Sequence, residues 1–234
     1  MHSLAEKLLI LALDAENKHS EQIVAQTLEE EPENGSNEKN IVLYKTDLTY
    51  LVLGSILIDL IHLERINILQ NRIEVINRSL VENSVLDHVL VKINENKSSW
   101  SLNSWIRFLL REYENIMELL YTTLLKKGLL IEEKRKKFKI FSSTQLKSKT
   151  DEEAVKVKTK IQNKLFNNDL NLRFSNFLCL LSSFNSLHLV LDEDNLNEGL
   201  RLIEPHCENS FIVKTIISHL EGLDEEELAL ISYY

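Results

Sequence analysis

The stretch from Asp47 to Arg65, DLTYLVLGSILIDLIHLER, limits what this chain can become. Eleven residues, Leu48 to Ile58, pass without a charge. Apolar side chains point round the whole circumference rather than along one stripe, the pattern of a helix buried on every side. A bilayer crossing needs roughly 20 apolar residues, so the run is too short to span one. Asp47 ahead of it, and Asp59, His62 and Glu64 towards its far end, fit a soluble core. The stretch reads as the central helix of a globular, mainly α fold, with the other elements wrapped around it. Gly54 stands mid-helix, where glycine costs about 1 kcal/mol against alanine. The expected compensation is the close approach of a neighbouring helix.

Composition supports that class. Hydrophobic residues make up 44% of the 234, enough for a sizeable core, and five Gly and two Pro are too few for a turn-rich β or doubly wound fold. The expectation is one compact domain over residues 1–234. The net charge of −9 disfavours a general attraction to nucleic acid or anionic lipid. Any contact with phosphate must come from a local basic face. Cys179 and Cys207 lie in apolar or mixed helical settings and read as buried thiols rather than a disulfide. No C-x-x-C spacing suggests a metal. No basic stretch precedes a long apolar run, and Leu8–Leu13 is short and ends in Asp14, so no signal peptide is expected and a cytosolic protein is.

Along the chain, Ser3 and Glu6 form a capping box ahead of an apolar helix ending near Leu13. Residues 14–40 turn acidic, and 29–40, with Pro32 and Gly35, read as a flexible acidic insertion. Ile66 to Ile76 alternates around Gln70 and Asn71 as a short β-hairpin. Ser84 to Asn94 is an amphipathic helix with Val85, Leu86, Val89, Leu90 and Ile93 inward. Ser104 is expected to cap a helix whose buried side is Trp105, Ile106, Phe108, Leu109 and Leu110. A further helix runs from Glu112 to Lys127 and stops at Gly128, in the position after a helix that glycine favours. Leu129–Ile131 and Phe138–Phe141 then flank a charged turn, EEKRKK. Asp151–Phe166 is an exposed helix with Val155, Val157, Ile161 and Leu165 inward. The second strongly apolar region, Leu172–Leu191, is expected to pair with the central helix. Helices over Asn195–Ile203 and Ser210–Leu220 follow, separated by Pro205, and the apolar tail is expected to dock.

Groups that do chemistry are scattered. No Gly-rich phosphate loop, H-E-x-x-H or nucleophile elbow is present. His188 reads as a satisfied histidine in an apolar setting. Asp192, Glu193 and Asp194 read as a helix start with its cap. The chain is not expected to be an enzyme or to carry a cofactor.

Several strings, in order, carry a resemblance. They are LAEKLLILALD at Leu4–Asp14, GSILIDLIHLERI at Gly54–Ile66, VLDHVLVKI at Val85–Ile93, NSWIRFLL at Asn103–Leu110 and LLKKGLLIEEKRKKFKIF at Leu124–Phe141. Each is weak alone. Together, over roughly Leu4 to Ala229, the chain resembles the Golgi phosphoprotein 3 family. The resemblance implies a helical domain with a β-hairpin, peripheral on the cytosolic face of the Golgi and exchanging with the cytoplasm. It implies binding of phosphatidylinositol 4-phosphate and of glycosyltransferase cytosolic tails, which are passed to coat proteins for retrograde transport. Homo-oligomers through the hairpin are also implied, and no nucleic acid.

The family's lipid pocket is where this sequence departs. Tyr44 stands where the family has tryptophan, Leu53 falls on a basic position, and Glu114 and Met117 fall on a pair of arginines. Arginine bonds to a phosphomonoester are what such a pocket needs. Headgroup contact could be rebuilt from Tyr44, Lys45, Arg107 and Arg111. A basic turn of Lys134, Arg135, Lys136, Lys137 and Lys139 could touch an anionic leaflet at about 1 kcal/mol per residue. The alternatives are a protein-binding helical module without lipid binding, and a winged-helix nucleic-acid binder. Helix, glycine, strand, basic turn and strand also suit the latter, while the acidic helix ahead of the wing opposes it.

Overall fold

The computed structural model describes residues 2–28, 45–95, 100–137, 141–148 and 151–220. Among these are nine α-helices and two antiparallel hairpins. The chain runs α1 (Leu4–Leu28), α2 (Lys45–His62), β1 (Ile66–Leu69), β2 (Arg72–Val75), α3 (Ser84–Glu95) and α4 (Leu102–Arg111). It continues through α5 (Tyr113–Lys126), β3 (Leu130–Lys137), β4 (Phe141–Ser148), α6 (Asp151–Phe166), α7 (Leu172–Ser183), α8 (Glu193–Asn209) and α9 (Phe211–Leu220).

α2 is the buried centre that the sequence calls for. Leu51, Val52, Leu53, Ile56, Leu57, Ile58 and Leu60 are all essentially inaccessible. α1 and α7 pack against it, and α3, α4 and α9 also touch it. The close approach at Gly54 comes from α7: a Cβ on Gly54 would lie 2.7 Å from Leu180 Cδ2. One continuous apolar core runs from Leu4 in α1 to Ile216 in α9.

The capping box forms as expected. Ser3 Oγ accepts from the Glu6 amide at 3.1 Å, and the Glu6 carboxylate accepts from the Ser3 amide at 3.3 Å. The helix does not stop near Leu13, however. It continues to Leu28, through polar residues with little apolar periodicity. The acidic insertion at 29–40 lies outside the described residues. The β1–β2 hairpin pairs Ile66 with Val75 and Leu69 with Arg72. Its two turn residues, Gln70 (φ 47°) and Asn71 (φ 63°), both take the left-handed conformation of the tight hairpin turn.

Other local readings need correction. Ser101, not Ser104, caps α4, its Oγ accepting from the Ser104 amide at 3.2 Å. In α6 Val155 is half exposed, and Ala154 takes its inward place. Pro205 does not separate two helices; it sits inside α8, on the exposed side. Proline there forfeits a backbone bond, but a solvent-facing carbonyl can bond water instead. Cys179 in α7 and Cys207 in α8 form a disulfide, with Cα atoms 5.2 Å apart. The bridge clamps two helices that already pack together, which separation along the chain did not reveal. Gly128 ends α5 with φ 66°, as expected.

Candidate functional site

The largest correction concerns the basic segment. Lys134, Arg135, Lys136 and Lys137 are not a turn but the last half of β3. The register pairs Lys134 with Thr144, Arg135 with Ser143, Lys136 with Ser142 and Lys137 with Phe141. Lys139 and the rest of 138–140 lie outside the described residues. The partner strand, FSSTQLKS, is too polar to announce itself by apolar alternation. Thr144, a β-branched residue, nevertheless suits a strand. The result is a long hairpin carrying four consecutive cations at its far end.

Of the residues expected to rebuild a headgroup pocket, Arg107 and Arg111 lie one turn apart on the exposed side of α4. Lys45 opens α2. Tyr44 lies outside the described residues. The departures from the family pattern have a clear structural setting. Leu53 is buried in the core at 1% exposure, so it faces no headgroup, and Met117 is also buried. Glu114 is exposed in the first turn of α5.

A second polar constellation, which the sequence reading missed, gathers around the start of α1. Asp59, wholly buried near the end of α2, accepts from Arg173 Nε at 2.6 Å and from the Leu4 amide at 2.6 Å. One turn away, Glu6 is equally buried. It accepts from Lys127 Nζ at 2.8 and 2.9 Å and from Asn83 Nδ2 at 2.8 Å, with the His2 ring at 3.1 Å. Burial pushes the Glu6 carboxyl upward, but Lys127, Asn83 and His2 outweigh it and hold its pKa below the usual carboxylate range. Lys7 is 6% exposed and bonds the His2 carbonyl at 3.2 Å. Burial, then the charge of Arg173, lowers its pKa to about 8. A charge inside an apolar helix needs a partner; Asp59 within SILIDLI was the signal that could have revealed this cluster.

The Phe174 ring collects three of these cations on α1, α6 and α7. Lys7 Nζ lies 5.1 Å, Lys164 Nζ 5.6 Å and Arg173 Cζ 5.9 Å from its centroid. The remaining flagged groups are structural. His188 is half-buried, its Nδ1 3.0 Å from the Asn185 carbonyl oxygen. Asp192 precedes α8 and accepts from Lys158 at 2.7 Å. No helix among the described residues is long and apolar enough to cross a membrane.

Fold and surface together define a mainly helical protein built on a buried central helix, with a cationic hairpin beside it. The family model for Golgi phosphoprotein 3 matches residues 32–206, and the chain belongs to that family. Membership supports a Golgi-related role of the Golgi phosphoprotein 3 kind. A comparison with curated proteins finds no match. Family membership, and the exposed Glu114 and Glu118 on α5, stand against the winged-helix alternative.

Proposed function

We propose that this protein is a peripheral membrane-trafficking adaptor acting as one domain on the cytosolic face of the Golgi, without catalysis of its own. In this reading it meets phosphatidylinositol 4-phosphate, holds cytosolic tails of glycosyltransferases and passes them to coat proteins for retrograde transport. The family match over residues 32–206 carries the reading. The cationic end of β3 supports it, since lysines and arginines near an anionic leaflet attract it despite a net charge of −9. Tyr44, Lys45, Arg107 and Arg111 are the groups proposed to meet the headgroup.

A second reading has its own observation. With Leu53 in the core and Glu114 exposed, two of the family's basic positions cannot donate to phosphate. A module that binds protein tails without lipid fits those two residues. Vesicle sedimentation decides between them. Retention on vesicles containing phosphatidylinositol 4-phosphate, weakened by Tyr44→Ala or by Lys134→Glu with Arg135→Glu, supports the lipid-binding adaptor. Equal recovery with and without that lipid leaves the protein-binding module.

A further inference from the structure

α6 carries two rows of polar side chains along one flank. Lys156, Lys160 and Lys164 recur every four residues, and so do Thr159, Asn163 and Asn167 beside them. Residues four apart on a helix are neighbours, so each row is continuous. With Val155 and Asp169 they line a groove of ≈ 520 Å³, a size that suits a small ligand. Every polar lining side chain except Asp169 can donate a hydrogen bond.

The groove is positive for reasons that reach beneath it. Lys156 reaches Glu153 at 3.6 Å and Lys164 reaches Asp169 at 2.9 Å, but Lys160 has no hydrogen-bond or ion-pair partner among the described residues. Behind the lysine row stand Lys7 and Arg173, gathered with Lys164 around Phe174. Arg173 spends its Nε on Asp59, while its buried Nη1 bonds nothing. The low pKa of Lys7 owes part of its fall to Lys160 and Arg173, so the three cations feel one another. Five cations here (Lys7, Lys156, Lys160, Lys164 and Arg173) face four carboxylates (Asp59, Glu153, Asp169 and, beside Lys7, Glu6), and Glu6 is itself held by Lys127.

The rim is apolar. Val155 lines the groove at 50% exposure, and Phe166 at 36% and Leu172 at 65% flank the segment that closes its far end. A soluble anion gives such side chains nothing to bury. A membrane surface does, because apolar residues beside cations settle at the headgroup boundary.

We propose that the α6 groove binds the phosphorylated headgroup of an anionic lipid, with Lys156 and Lys160 meeting phosphate and Val155, Phe166 and Leu172 entering the interfacial layer. This is a different face from the Tyr44, Lys45, Arg107 and Arg111 group and from the far end of β3. It rests on the membrane-binding reading only in requiring that the protein meet a bilayer.

Sedimentation with phosphatidylcholine vesicles, with and without phosphatidylinositol 4-phosphate, tests it. The proteins are wild type, Lys156→Gln with Lys160→Gln, Leu172→Ser, and Lys134→Glu with Arg135→Glu. All altered residues outside β3 are exposed, and a thermal melt checks each fold. Partition of the α6 double variant should fall by about tenfold or more, and Leu172→Ser should weaken vesicle binding without changing affinity for soluble inositol 1,4-bisphosphate. If the α6 double variant sediments like wild type while the β3 variant does not, this inference fails and the adaptor reading survives. If wild type sediments with no vesicle, both lipid proposals fail. If the α6 variant loses the soluble headgroup and Leu172→Ser changes nothing on vesicles, the groove serves a soluble phosphate and the lipid assignment is overturned.

Discussion

Lys7→Met is the most searching single change this structure offers. Lys7 is almost wholly buried, and its pKa falls from 10.5 to about 8. Burial is the main cause, followed by the charge of Arg173; Asp59 and Glu6 pull the other way and Lys160 pushes with Arg173. A fall of that size corresponds to about 3 kcal/mol of preference against the charged form. Methionine keeps the apolar stem and removes the charge. It also loses the bond to the His2 carbonyl and the cation over Phe174, each worth about 1 kcal/mol. The net expectation is a variant about 1 kcal/mol more stable than wild type at pH 7. The pH dependence is the sharper test. Between about pH 8 and 10.5 the unfolded chain still holds the Lys7 proton and the native chain has released it. Raising the pH through that window therefore favours the native state of wild type. The variant lacks this contribution, so its advantage should disappear and then reverse as pH rises. Urea unfolding of both proteins at several pH values from 6.5 to about 10.5 reads the difference directly. A difference that stays constant across the window, or a variant weaker than wild type at pH 7 by more than about 1 kcal/mol, refutes the reasoning.

Asp59→Asn should cost about 3–5 kcal/mol, because it leaves Arg173 buried without its carboxylate; a loss under about 1 kcal/mol in urea unfolding would contradict the pairing. Gly54→Val should cost about 1–3 kcal/mol, since its side chain meets Leu180 in a filled core, and a lower melting temperature with unchanged helical circular dichroism would show it. The Cys179–Cys207 bridge spans 28 residues, so Cys207→Ser should lower stability by about 3 kcal/mol. Thiol titration of the denatured wild type should find no free cysteine before reduction and two after it.

What could be read from residues alone follows from the range over which each signal acts. The central helix, the amphipathic faces of α3 and α5, the Gln70-Asn71 turn, the Ser3–Glu6 box and the Gly128 stop all depend on neighbours within a turn or two. The extension of α1 past Leu13 and the passage of α8 through Pro205 run through residues with no apolar periodicity of their own, and the strand FSSTQLKS is set by its pairing with β3. The same holds at the candidate site. Arg107, Arg111 and the β3 cations were visible as charges, and the family pattern made Leu53 and Glu114 conspicuous. The groove on α6 was not, because its lysines read as an ordinary solvated face until α1 and α7 brought Lys7 and Arg173 behind them. The disulfide was missed for the same reason, since only the packing of α7 on α8 makes the two sulfurs neighbours.

The Asp59–Arg173 bond also has a consequence in time. The two residues are 114 positions apart. At ribosomal speeds of about 5–20 residues per second, Asp59 leaves the tunnel roughly 6–23 s before its guanidinium partner. During that wait the greasy α2 segment carries an unmatched carboxylate, which discourages it from closing too early on the wrong neighbour. The late arrival of α7 then supplies both the missing cation and the Leu180 side chain that covers Gly54, so one helix both covers the centre and neutralises it.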